Sequence, residues 1–556
     1  MVPSINTSDR QAEAFPVLTP AQIDRIRPYA SIRSVQAGEV LFEAGESGMP
    51  CFVVLSGSLE ILMASLSGEH VFVTYDAGGF SGEMILISGA RSMSRGRVAE
   101  PGEFLELSAD ALHSLIAKDE ELSDIFMRAF ILRRRALIAE GLGNVTILGS
   151  RYSANTLRLR EFLTRNGHPH TYVDLDSDTT AQELLDRFSV KIEEIPVVIC
   201  GRSTVLRNPT TQRLAEGLGI AGTIDESQTR DVVIIGAGPA GLAAAVYAAS
   251  EGLDAVVIEA EFPGGQAGAS SKIENYIGFP TGISGLDLTG RAVVQAQKFG
   301  AHMMVGEKVV QLRCDQRPYR LTLENGGLID TRSIVIATGV QYNKPKVESL
   351  QQFEGQGIYY AATFMEAQLC AGEEIIVVGG ANSAGQAAVF LAETVRKVYM
   401  LVRGKELAEK MSRYLIQRIV ENPAIELHLQ TEIVALEGNS HLERVTWLDR
   451  SSGERSTHEI RHVFVMAGAS PHSDWLSGCV ALDQQGFILT GRDLDPVLES
   501  APQKWPLARP PQMLETSLPA VFAVGDIRSG NVKRVASAVG EGAISIHLVH
   551  NALAEI

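Results

Sequence analysis

One segment near the middle of the chain constrains the fold more than any other. The apolar run at residues 232–235 leads into Gly236-Ala237-Gly238-Pro239-Ala240-Gly241 and then into an alanine-rich stretch. In this pattern the first glycine allows a tight turn, the second lets backbone approach a pyrophosphate, and the third packs helix against strand. Glu259 closes the next apolar run, where a carboxylate suits a ribose 2′-hydroxyl. The segment therefore predicts a dinucleotide-binding βαβ unit.

A second unit of the same kind begins at residue 375. The apolar residues 375–378 precede Gly379-Gly380-Ala381-Asn382-Ser383-Ala384. Ala381 stands where the glycine that approaches the ligand is usual, so a packing turn without a ligand is the alternative interpretation. Two dinucleotide-binding folds in one enzyme body are predicted.

The length and composition bound the rest of the protein. At about 150 residues per domain, 556 residues indicate several domains. A hydrophobic fraction of 45% and a charged fraction of 21% are ordinary for packed globular domains. The formal charge of -17 disfavours nucleic acid and anionic lipid. The apolar runs are shorter than the ~20 residues of a membrane span, and the polar start lacks a signal peptide. We therefore expect a cytoplasmic protein with no membrane or nucleic-acid partner.

Two further units are expected before the first glycine motif. Residues 30–110 contain short alternating β runs broken by glycines, which indicate a small barrel or jelly roll, and residues 111–138 have helical spacing. Residues 144–222 alternate strand and helix and indicate a small α/β unit of their own. The polar residues 225–230 are interpreted as a linker.

Over about residues 231–550 the chain resembles the low-molecular-weight thioredoxin reductase family of flavoproteins. The resemblance is carried, besides the two glycine loops, by Gly264-Gly265-Gln266, Glu274-Asn275-Tyr276, Ala337-Thr338-Gly339, Val524-Gly525-Asp526 and Lys533-Arg534-Val535-Ala536. In that family the nicotinamide domain is inserted within the FAD domain and rotates to bring its ring to the flavin. The resemblance therefore implies an FAD domain at 231–340 and 468–556, an NAD(P)H domain at 341–467, and a homodimer.

The resemblance also implies the cofactor contacts. The residues expected to bind FAD are Gly236, Gly238, Gly241, Glu259, Gly265, Gln266, Asn275, Thr338, Gly525, Asp526, Val535 and Ala536. Those expected to bind NADPH are Gly379, Gly380, Asn382, Ser383, Ala384, Arg403 and Lys405. Of the family's His-Arg-Arg clamp for the 2′-phosphate only Arg403 is present, with Lys405 or Arg413 near it. NADPH is favoured because no acidic residue occupies that strand end, and NADH stays possible.

The redox dithiol of the family is missing. Its C-x-x-C should align with Ala361-Ala362-Thr363-Phe364, and neither Ala361 nor Phe364 can form a thiolate. Cys370 follows nearby and is interpreted as a buried helix cysteine, with a weak alternative as a catalytic thiol. The catalytic residues are therefore unknown, and no metal site is predicted.

The unit at 144–222 resembles a glutaredoxin or thioredoxin domain. Ser153-Ala154-Asn155-Thr156 occupies the place of its C-x-x-C, and Ile195-Pro196 the place of its cis-proline. Hydroxyls there can cap a helix but do not exchange with disulfides. The unit is therefore expected to serve docking or scaffolding, and Cys200 is expected to be a core residue.

Residues 20–140 resemble a cyclic-nucleotide-binding domain. Gly79-Phe80-Ser81-Gly82-Glu83 followed by Arg91-Ser92 fits its phosphate cassette, in which glutamate takes a ribose hydroxyl and arginine the cyclic phosphate. The resemblance thus implies a nucleotide site at Gly82, Glu83, Arg91 and Ser92. Arg91 stands one residue earlier than usual, so Arg95 or Arg97 are alternatives, and a purely structural domain is the other interpretation.

Together these features predict a multidomain protein with an N-terminal β-roll, a central thioredoxin-like α/β unit and a C-terminal flavoprotein of two dinucleotide-binding domains. The expected activity is hydride transfer from NAD(P)H to FAD and onward to a small-molecule or protein acceptor that the sequence does not identify. The alternative is a cyclic-nucleotide-regulated redox sensor or binding protein without turnover.

Overall fold

The computed structural model describes residues 12–65, 68–82, 85–88, 91–139, 145–151, 153–176, 185, 190–191, 194–200, 204–222, 224–407, 411–439, 441–476, 478–500 and 505–555. They form an N-terminal unit, a central unit and a body of two dinucleotide-binding folds. No helix among these residues is long and apolar enough to cross a membrane.

The N-terminal unit is a roll of two antiparallel sheets closed by helices. Its elements are α1 (Pro20–Ile26), β1 (Ser31–Val35), β2 (Val40–Phe42), β3 (Cys51–Val54), β4 (Ser58–Ser65), β5 (Gly68–Tyr75), α2 (Ile85–Ser88), β6 (Ser94–Glu100), β7 (Gly102–Leu107), α3 (Ala109–Lys118) and α4 (Glu120–Ala139). The sheet orders are β1-β7-β3 and β2-β6-β4-β5.

The predicted helix at 111–138 is two helices. Asp119 is extended (φ -118°, ψ 105°) and its carboxylate accepts a hydrogen bond from the backbone N–H of Leu122. Asp119 therefore ends α3 and caps α4, because a carboxylate at that position satisfies a donor that the helix leaves open.

The central unit contains the three strands and the first helix that the sequence predicts, and it adds a fourth strand and a further helix. Its elements are β8 (Val145–Gly149), α5 (Ala154–Arg165), β9 (Thr171–Asp174), β10 (Val197–Cys200), β11 (Thr204–Arg207) and α6 (Thr211–Leu218). The sheet order is β11-β10-β8-β9, with β8 parallel to β9 and antiparallel to β10. The Ile195–Pro196 peptide is cis. The predicted helix at 181–188 lies almost entirely outside the described residues.

The first dinucleotide-binding fold is a seven-stranded sheet. Its elements are β12 (Arg230–Ile235), α7 (Pro239–Ser250), β13 (Ala255–Glu259), α8 (Gly265–Gly268), α9 (Gly285–Lys298), β14 (His302–Val305), β15 (Val309–Arg313), β16 (Tyr319–Leu323) and β17 (Leu328–Ile336). The main order is β14-β13-β12-β17-β16-β15. Ile235 pairs with Ile336, so β12 and β17 end at the same level and bring Gly236 beside Ala337.

The second fold is inserted after β17, as the resemblance implies. Its elements are β18 (Val340–Tyr342), β19 (Ile358–Tyr359), α10 (Phe364–Leu369), β20 (Glu374–Val378), α11 (Asn382–Leu391), β21 (Lys397–Val402), α12 (Arg413–Glu421), β22 (Ile425–Leu429), β23 (Thr431–Glu437), β24 (Arg444–Asp449), β25 (Arg455–His458), β26 (His462–Val465) and β27 (Ala469–Pro471). The parallel sheet has the order β19-β26-β20-β21-β22.

The chain crosses between the two folds twice, at the same place. The antiparallel pair β18 and β27 joins Val340 to Pro471 and Tyr342 to Ala469. The returning chain completes the first fold with α13 (Asp495–Ser500), β28 (Val521–Ala523) beside β17, and α14 (Val535–Glu555) packed on α7. Gly542 makes that packing close, because a Cβ there would lie 2.1 Å from the carbonyl oxygen of Ala240.

Candidate functional site

The three glycines of the first loop differ in backbone conformation and in surroundings. Gly236 has φ +102°, which favours glycine. A Cβ on Gly241 would lie 1.8 Å from the carbonyl oxygen of Gly236, so this glycine packs the helix against the turn. No atom lies within 4 Å of a Cβ built on Gly238. The second glycine therefore borders open space at the start of α7, as a pyrophosphate site requires.

Glu259 lies at the carboxyl end of β13, beside that loop. Its carboxylate accepts hydrogen bonds from the N–H of Ala237 (2.7 Å) and of Glu261 (3.1 Å). Burial raises the pKa of the carboxyl group. Glu259 thus ties β13 to the glycine loop at the position where the sequence predicts a ribose contact.

The residues after Glu259 reach back to the glycine loop and across to the crossing strands. Gly265 lies against Gly238, since a Cβ on Gly265 would be 3.2 Å from the Gly238 Cα. The side-chain amide of Gln266 donates to the carbonyl oxygen of Val340 on β18 (2.6 Å). Asn275 is exposed. Residues 259–268, here called the flavin loop for the expected ligand, therefore connect the glycine loop at 236–241, here called the first cradle, to the junction of the two folds.

The two folds also meet through an ion pair. Arg418 on α12 donates to both carboxylate oxygens of Glu274, at 2.7 and 3.1 Å. This contact holds the pKa of Glu274 below its usual range. The Glu274-Asn275-Tyr276 motif is thus fixed at one end to the second fold.

The C-terminal motif completes the first cradle. The N–H of Gly525 donates to Glu541 on α14, and Arg528 pairs with the same carboxylate at 2.6 Å. Asp526 is largely removed from solvent, and burial raises its pKa against the opposing effect of Lys533. Val535 and Ala536 begin α14. An open cavity of about 420 Å³ next to this motif is lined by Asp483, Gln484, Gln485, Phe487, Arg528, Ser529, Gly530, Asn531 and Lys533.

Tyr342 is a residue that the sequence motifs did not single out. It lies on β18, where Ser383 of the second loop and Asp526 of the first cradle both act on its hydroxyl. Burial raises the pKa of Tyr342. Thr338, at the start of the same crossing, donates to the carbonyl oxygen of His472, and burial lowers the pKa of that histidine. The structure thus gathers both predicted cofactor motifs around the crossing strands.

The second glycine loop, residues 379–384, leaves less free space around its second glycine than the first loop does. Gly379 has φ +144°, and a Cβ on Gly380 would lie 2.8 Å from Val402. Ala381 is the N-cap of α11, and Asn382 accepts from the N–H of Ser412. Ser383 is exposed and Ala384 is buried. Arg403 and Lys405 follow β21 and are exposed to solvent.

The segment where the family carries its dithiol is a helix start. Thr363 caps α10 and forms a reciprocal capping pair with Glu366. Ala361 and Phe364 stand on either side of this cap. Cys370 is fully buried, its thiol donates to the carbonyl oxygen of Glu366, and burial raises its pKa to about 12. The thiol is therefore protonated at neutral pH and unsuited to disulfide exchange.

In the central unit, the residues predicted to stand in place of a dithiol lie at the start of α5. The Ser153 hydroxyl accepts from the N–H of Thr156 and caps α5. Thr156 is completely buried. Burial raises the pKa of Cys200 to about 11. This unit thus has no activated thiol among its described residues.

Two of the predicted nucleotide-binding residues of the N-terminal unit, Gly82 and Ser92, border one cavity, and Arg91 does not line it. Gly82 accepts a hydrogen bond from the buried Arg133 (2.7 Å), and the Ser92 hydroxyl donates to the carbonyl oxygen of Ser94. Arg91 donates to the carbonyl oxygen of Gly45 and packs against Gly219 of the central unit. Glu83 lies outside the described residues. The alternatives Arg95 and Arg97 form ion pairs with carboxylates of the same unit.

The cavity inside the roll is small. It has a volume of about 40 Å³ and is lined by Phe42, Met49, Ile61, Met63, Phe72, Val73, Tyr75, Gly82, Ser92, Met93, Ser94, Arg133 and Leu137. The predicted arginines Arg91, Arg95 and Arg97 do not line this described cavity, whereas the buried Arg133 does.

Two cysteines that lie far apart in the sequence form a disulfide. Cys314 and Cys479 are 165 residues apart and their Cα atoms are 5.8 Å apart. The first follows β15 and the second follows the return of the chain from the second fold. No spacing pattern signals such a pair, because it depends on how the two segments pack.

The described residues contain no group of three or more His, Cys, Asp or Glu side chains that could hold a metal ion.

Comparison with known proteins supports the reading of the motifs. The family model for pyridine nucleotide-disulphide oxidoreductases matches residues 230–542, and the model for cyclic nucleotide-binding domains matches residues 32–119. An NADPH-dependent thioredoxin reductase 3 of Arabidopsis thaliana is 31% identical over 362 residues, which cover 62% of this chain and 64% of the relative. The thioredoxin reductase of Bacillus subtilis is 29% identical over 334 residues, covering 60% of this chain and 98% of the relative.

Solved structures agree with these matches. The FR conformation of Lactococcus lactis thioredoxin reductase has a TM-score of 0.52 at 25% identity, covering 59% of this chain and 100% of that one. Thioredoxin reductase of T. acidophilum has a TM-score of 0.51 at 26% identity, covering 58% of this chain and 99% of that one. The predicted resemblance of the body and of the N-terminal unit is thus confirmed.

Proposed function

This chain belongs to the pyridine nucleotide-disulphide oxidoreductase family, and from that premise we propose that it is an FAD-dependent NAD(P)H oxidoreductase that passes electrons to an acceptor outside the chain. The observation that carries the proposal is the open first cradle, where Gly238 borders free space while Gly236 and Gly241 are tightly packed. That arrangement fits the diphosphate of FAD, since backbone N–H groups at a helix start favour an anion.

The protein's own residues would bind and orient the cofactors. Glu259 and Asp526 would accept hydrogen bonds from sugar hydroxyls, and Gln266 would hold the flavin loop against β18. The loop at 379–384 would receive NAD(P)H, with the exposed Arg403 and Lys405 near a 2′-phosphate. When bound, NAD(P)H supplies a hydride and FAD accepts it, and this redox chemistry belongs to the cofactors.

The electrons would not leave through a protein dithiol of the family's kind. Disulfide exchange requires a thiolate, and the family positions hold Ala361 and Phe364. Cys370 is buried with a raised pKa. We therefore propose direct transfer from the flavin to an external acceptor, whose candidate classes are a disulfide, a quinone, another flavin or iron–sulfur protein, and oxygen.

The central unit supports the same conclusion. Its sheet order β11-β10-β8-β9, with β8 parallel to β9 and antiparallel to β10, favours the proposal of a thioredoxin-like unit. Because Ser153 and Thr156 stand where a dithiol would, the unit would act in docking and not in electron transfer.

Anaerobic mixing of the yellow protein with NADPH, and separately with NADH, tests the proposal. Rapid bleaching of the visible flavin band followed by recovery with one acceptor class is the expected result. An oxidised spectrum that persists with both nucleotides would contradict it and favour a sensor without turnover. The Gly238→Val variant is the control, because it should lack the flavin band.

A further inference from the structure

The central unit lies against both dinucleotide-binding folds through one helix. At the carboxyl end of α5, Arg165 donates a hydrogen bond to the carbonyl oxygen of Gly265, and its guanidinium carbon lies 3.6 Å from the ring centroid of Phe262. At the other end Ala154 packs on Gly355, where an added Cβ would lie 2.7 Å from the Ala154 Cβ. Arg165 thus contacts the flavin loop from outside the flavoprotein fold.

The Arg165 side chain is almost fully buried, but its described partners do not satisfy all of its hydrogen-bond donors. Its side chain is 8% exposed and forms an ion pair with Glu161 at 3.2 Å. Its Nε atom is buried and has no hydrogen-bond partner among the described residues. A buried guanidinium with an unsatisfied donor is costly, and such a group commonly indicates a ligand or a functional constraint.

The contact with Gly265 fixes the direction of a peptide group at the cradle. The Gly265–Gln266 peptide is trans, so its carbonyl and its N–H point in opposite directions. When Arg165 holds the carbonyl oxygen toward the central unit, the Gln266 N–H points away from that unit. Gly265 itself lies against Gly238 of the open cradle.

The charges around Arg165 also bear on an anionic ligand. The carboxylates of Glu161, Glu259 and Glu261 all act on its guanidinium. Without Arg165 these carboxylates would leave a negative field beside the cradle. Such a field opposes the approach of a diphosphate, because like charges repel strongly in a partly buried site.

We propose that Arg165 is a positioning residue for FAD, so that the flavin site is completed by a unit outside the two dinucleotide-binding folds. This inference rests on the proposed binding of FAD in the first cradle. It implies that FAD binding and docking of the central unit stabilise each other, because coupling between two binding events is reciprocal.

Titration of FAD into the flavin-depleted full-length protein, followed by quenching of FAD fluorescence, tests the proposal. Arg165→Gln should weaken FAD binding about 5- to 150-fold, the range expected when a buried partner is left unsatisfied at about 1–3 kcal/mol. Arg165→Lys should lie between, since it keeps the charge but loses the planar fork. Arg158→Gln is the matched control, because Arg158 lies on the same helix and donates to Pro209 within the central unit.

Each outcome decides between clear alternatives. Wild-type affinity in Arg165→Gln would overturn the proposal, and so would equal losses in Arg165→Gln and Arg158→Gln, which would indicate general loosening of the unit. If circular dichroism shows that Arg165→Gln does not fold, the FAD affinity of Arg165→Lys decides. A wild-type FAD affinity in Arg165→Lys would overturn the proposal, and a weaker FAD affinity would support it. Wild-type protein that binds no FAD would overturn the proposed function itself.

Discussion

At the residue scale, substitutions at the three glycines of the first cradle are expected to act differently on folding and on ligand binding. Gly236 and Gly241 have backbone atoms where a side chain would be, so substitution there disturbs the fold. Gly238 has φ -71°, which any residue adopts, and open space around a built Cβ. A side chain at Gly238 would therefore occupy only the free volume beside the loop, where the ligand is proposed to bind.

The Gly238→Val variant should fold and lose FAD. A branched side chain in the ligand space costs about 1–3 kcal/mol or more, which is at least about 5- to 150-fold in affinity. The flavin absorbance per protein of the purified variant measures the effect, and its circular dichroism spectrum serves as the control for folding. A variant that purifies yellow with unchanged flavin content would show that this cradle is not the FAD site.

Cys370 should be dispensable for any disulfide turnover. Burial raises its pKa to about 12, so at neutral pH the thiolate is a minute fraction of the population. We expect negligible NADPH-dependent reduction of thioredoxin or a model disulfide through a protein dithiol, and therefore no change in Cys370→Ser. Turnover that Cys370→Ser abolishes would reveal a catalytic thiol at this position.

At the scale of elements, the turn after α5 links the central and N-terminal units. His168 follows Gly167 in this turn, is 7% exposed, and its Nδ1 lies 3.2 Å from the carbonyl oxygen of Pro169. Burial lowers its pKa to about 3, and the positive charge of Arg134 on α4 acts in the same direction. A neutral histidine is thus built into the contact between two units.

His168 should make the protein less stable in acid. Between its ordinary pKa of about 6.5 and the folded value of about 3, the unfolded chain binds a proton that the folded protein does not. Stability therefore falls as the pH falls through this window, by up to about 1.4 kcal/mol per pH unit. His168→Gln should flatten the decrease in melting temperature between neutral and mildly acidic pH.

The exposed His547 on α14 provides the matched control for this experiment. His547→Gln should leave the wild-type pH dependence unchanged. A His168→Gln variant with the wild-type slope would show that His168 does not contribute to the acid sensitivity.

At the scale of the whole molecule, two long-range features connect distant parts of the chain. The Cys314–Cys479 disulfide closes a loop that contains the entire second dinucleotide-binding fold. Arg133 closes the N-terminal roll by donating to the carbonyl oxygens of Ala14, Phe80 and Gly82. The disulfide predicts how the protein responds to a reductant, and the closed roll predicts how it responds to cyclic nucleotides.

Reduction of the disulfide should destabilise the body. Closing so long a loop restricts the unfolded chain and contributes about 2–5 kcal/mol. Dithiothreitol should therefore lower the melting temperature of the wild type, and it should leave the double variant Cys314→Ser/Cys479→Ser unchanged. Titration of the oxidised, denatured wild type should find three free thiols of five, and a count of five would contradict the disulfide.

Cyclic AMP and cyclic GMP should give no measurable heat when titrated into the wild type. None of the predicted phosphate-binding arginines Arg91, Arg95 and Arg97 lines the described cavity in the roll, and Arg91 packs against Gly219 instead. Measurable binding would contradict this expectation and require α4 to move. In that case a non-reducible NADPH analogue and the nucleotide should change each other's affinity by the same factor.

The sequence by itself determined the local features of this protein. The two glycine loops, the absence of thiols at residues 361 and 364, and the elements β8, α5, β9 and β10 of the central unit follow from patterns of a few consecutive residues. Such patterns report backbone conformation and the chemistry of one segment, which neighbouring residues largely decide.

Only the tertiary structure decided which distant segments meet. The Cys314–Cys479 pair, the reach of Arg165 to Gly265, and the orientation of Arg91 away from the roll depend on how separate units pack. A helix such as α5 presents several polar side chains, and its sequence does not state which neighbour each one meets. The physical reason is that packing of whole elements, through burial and shape, selects these contacts among many that the sequence allows.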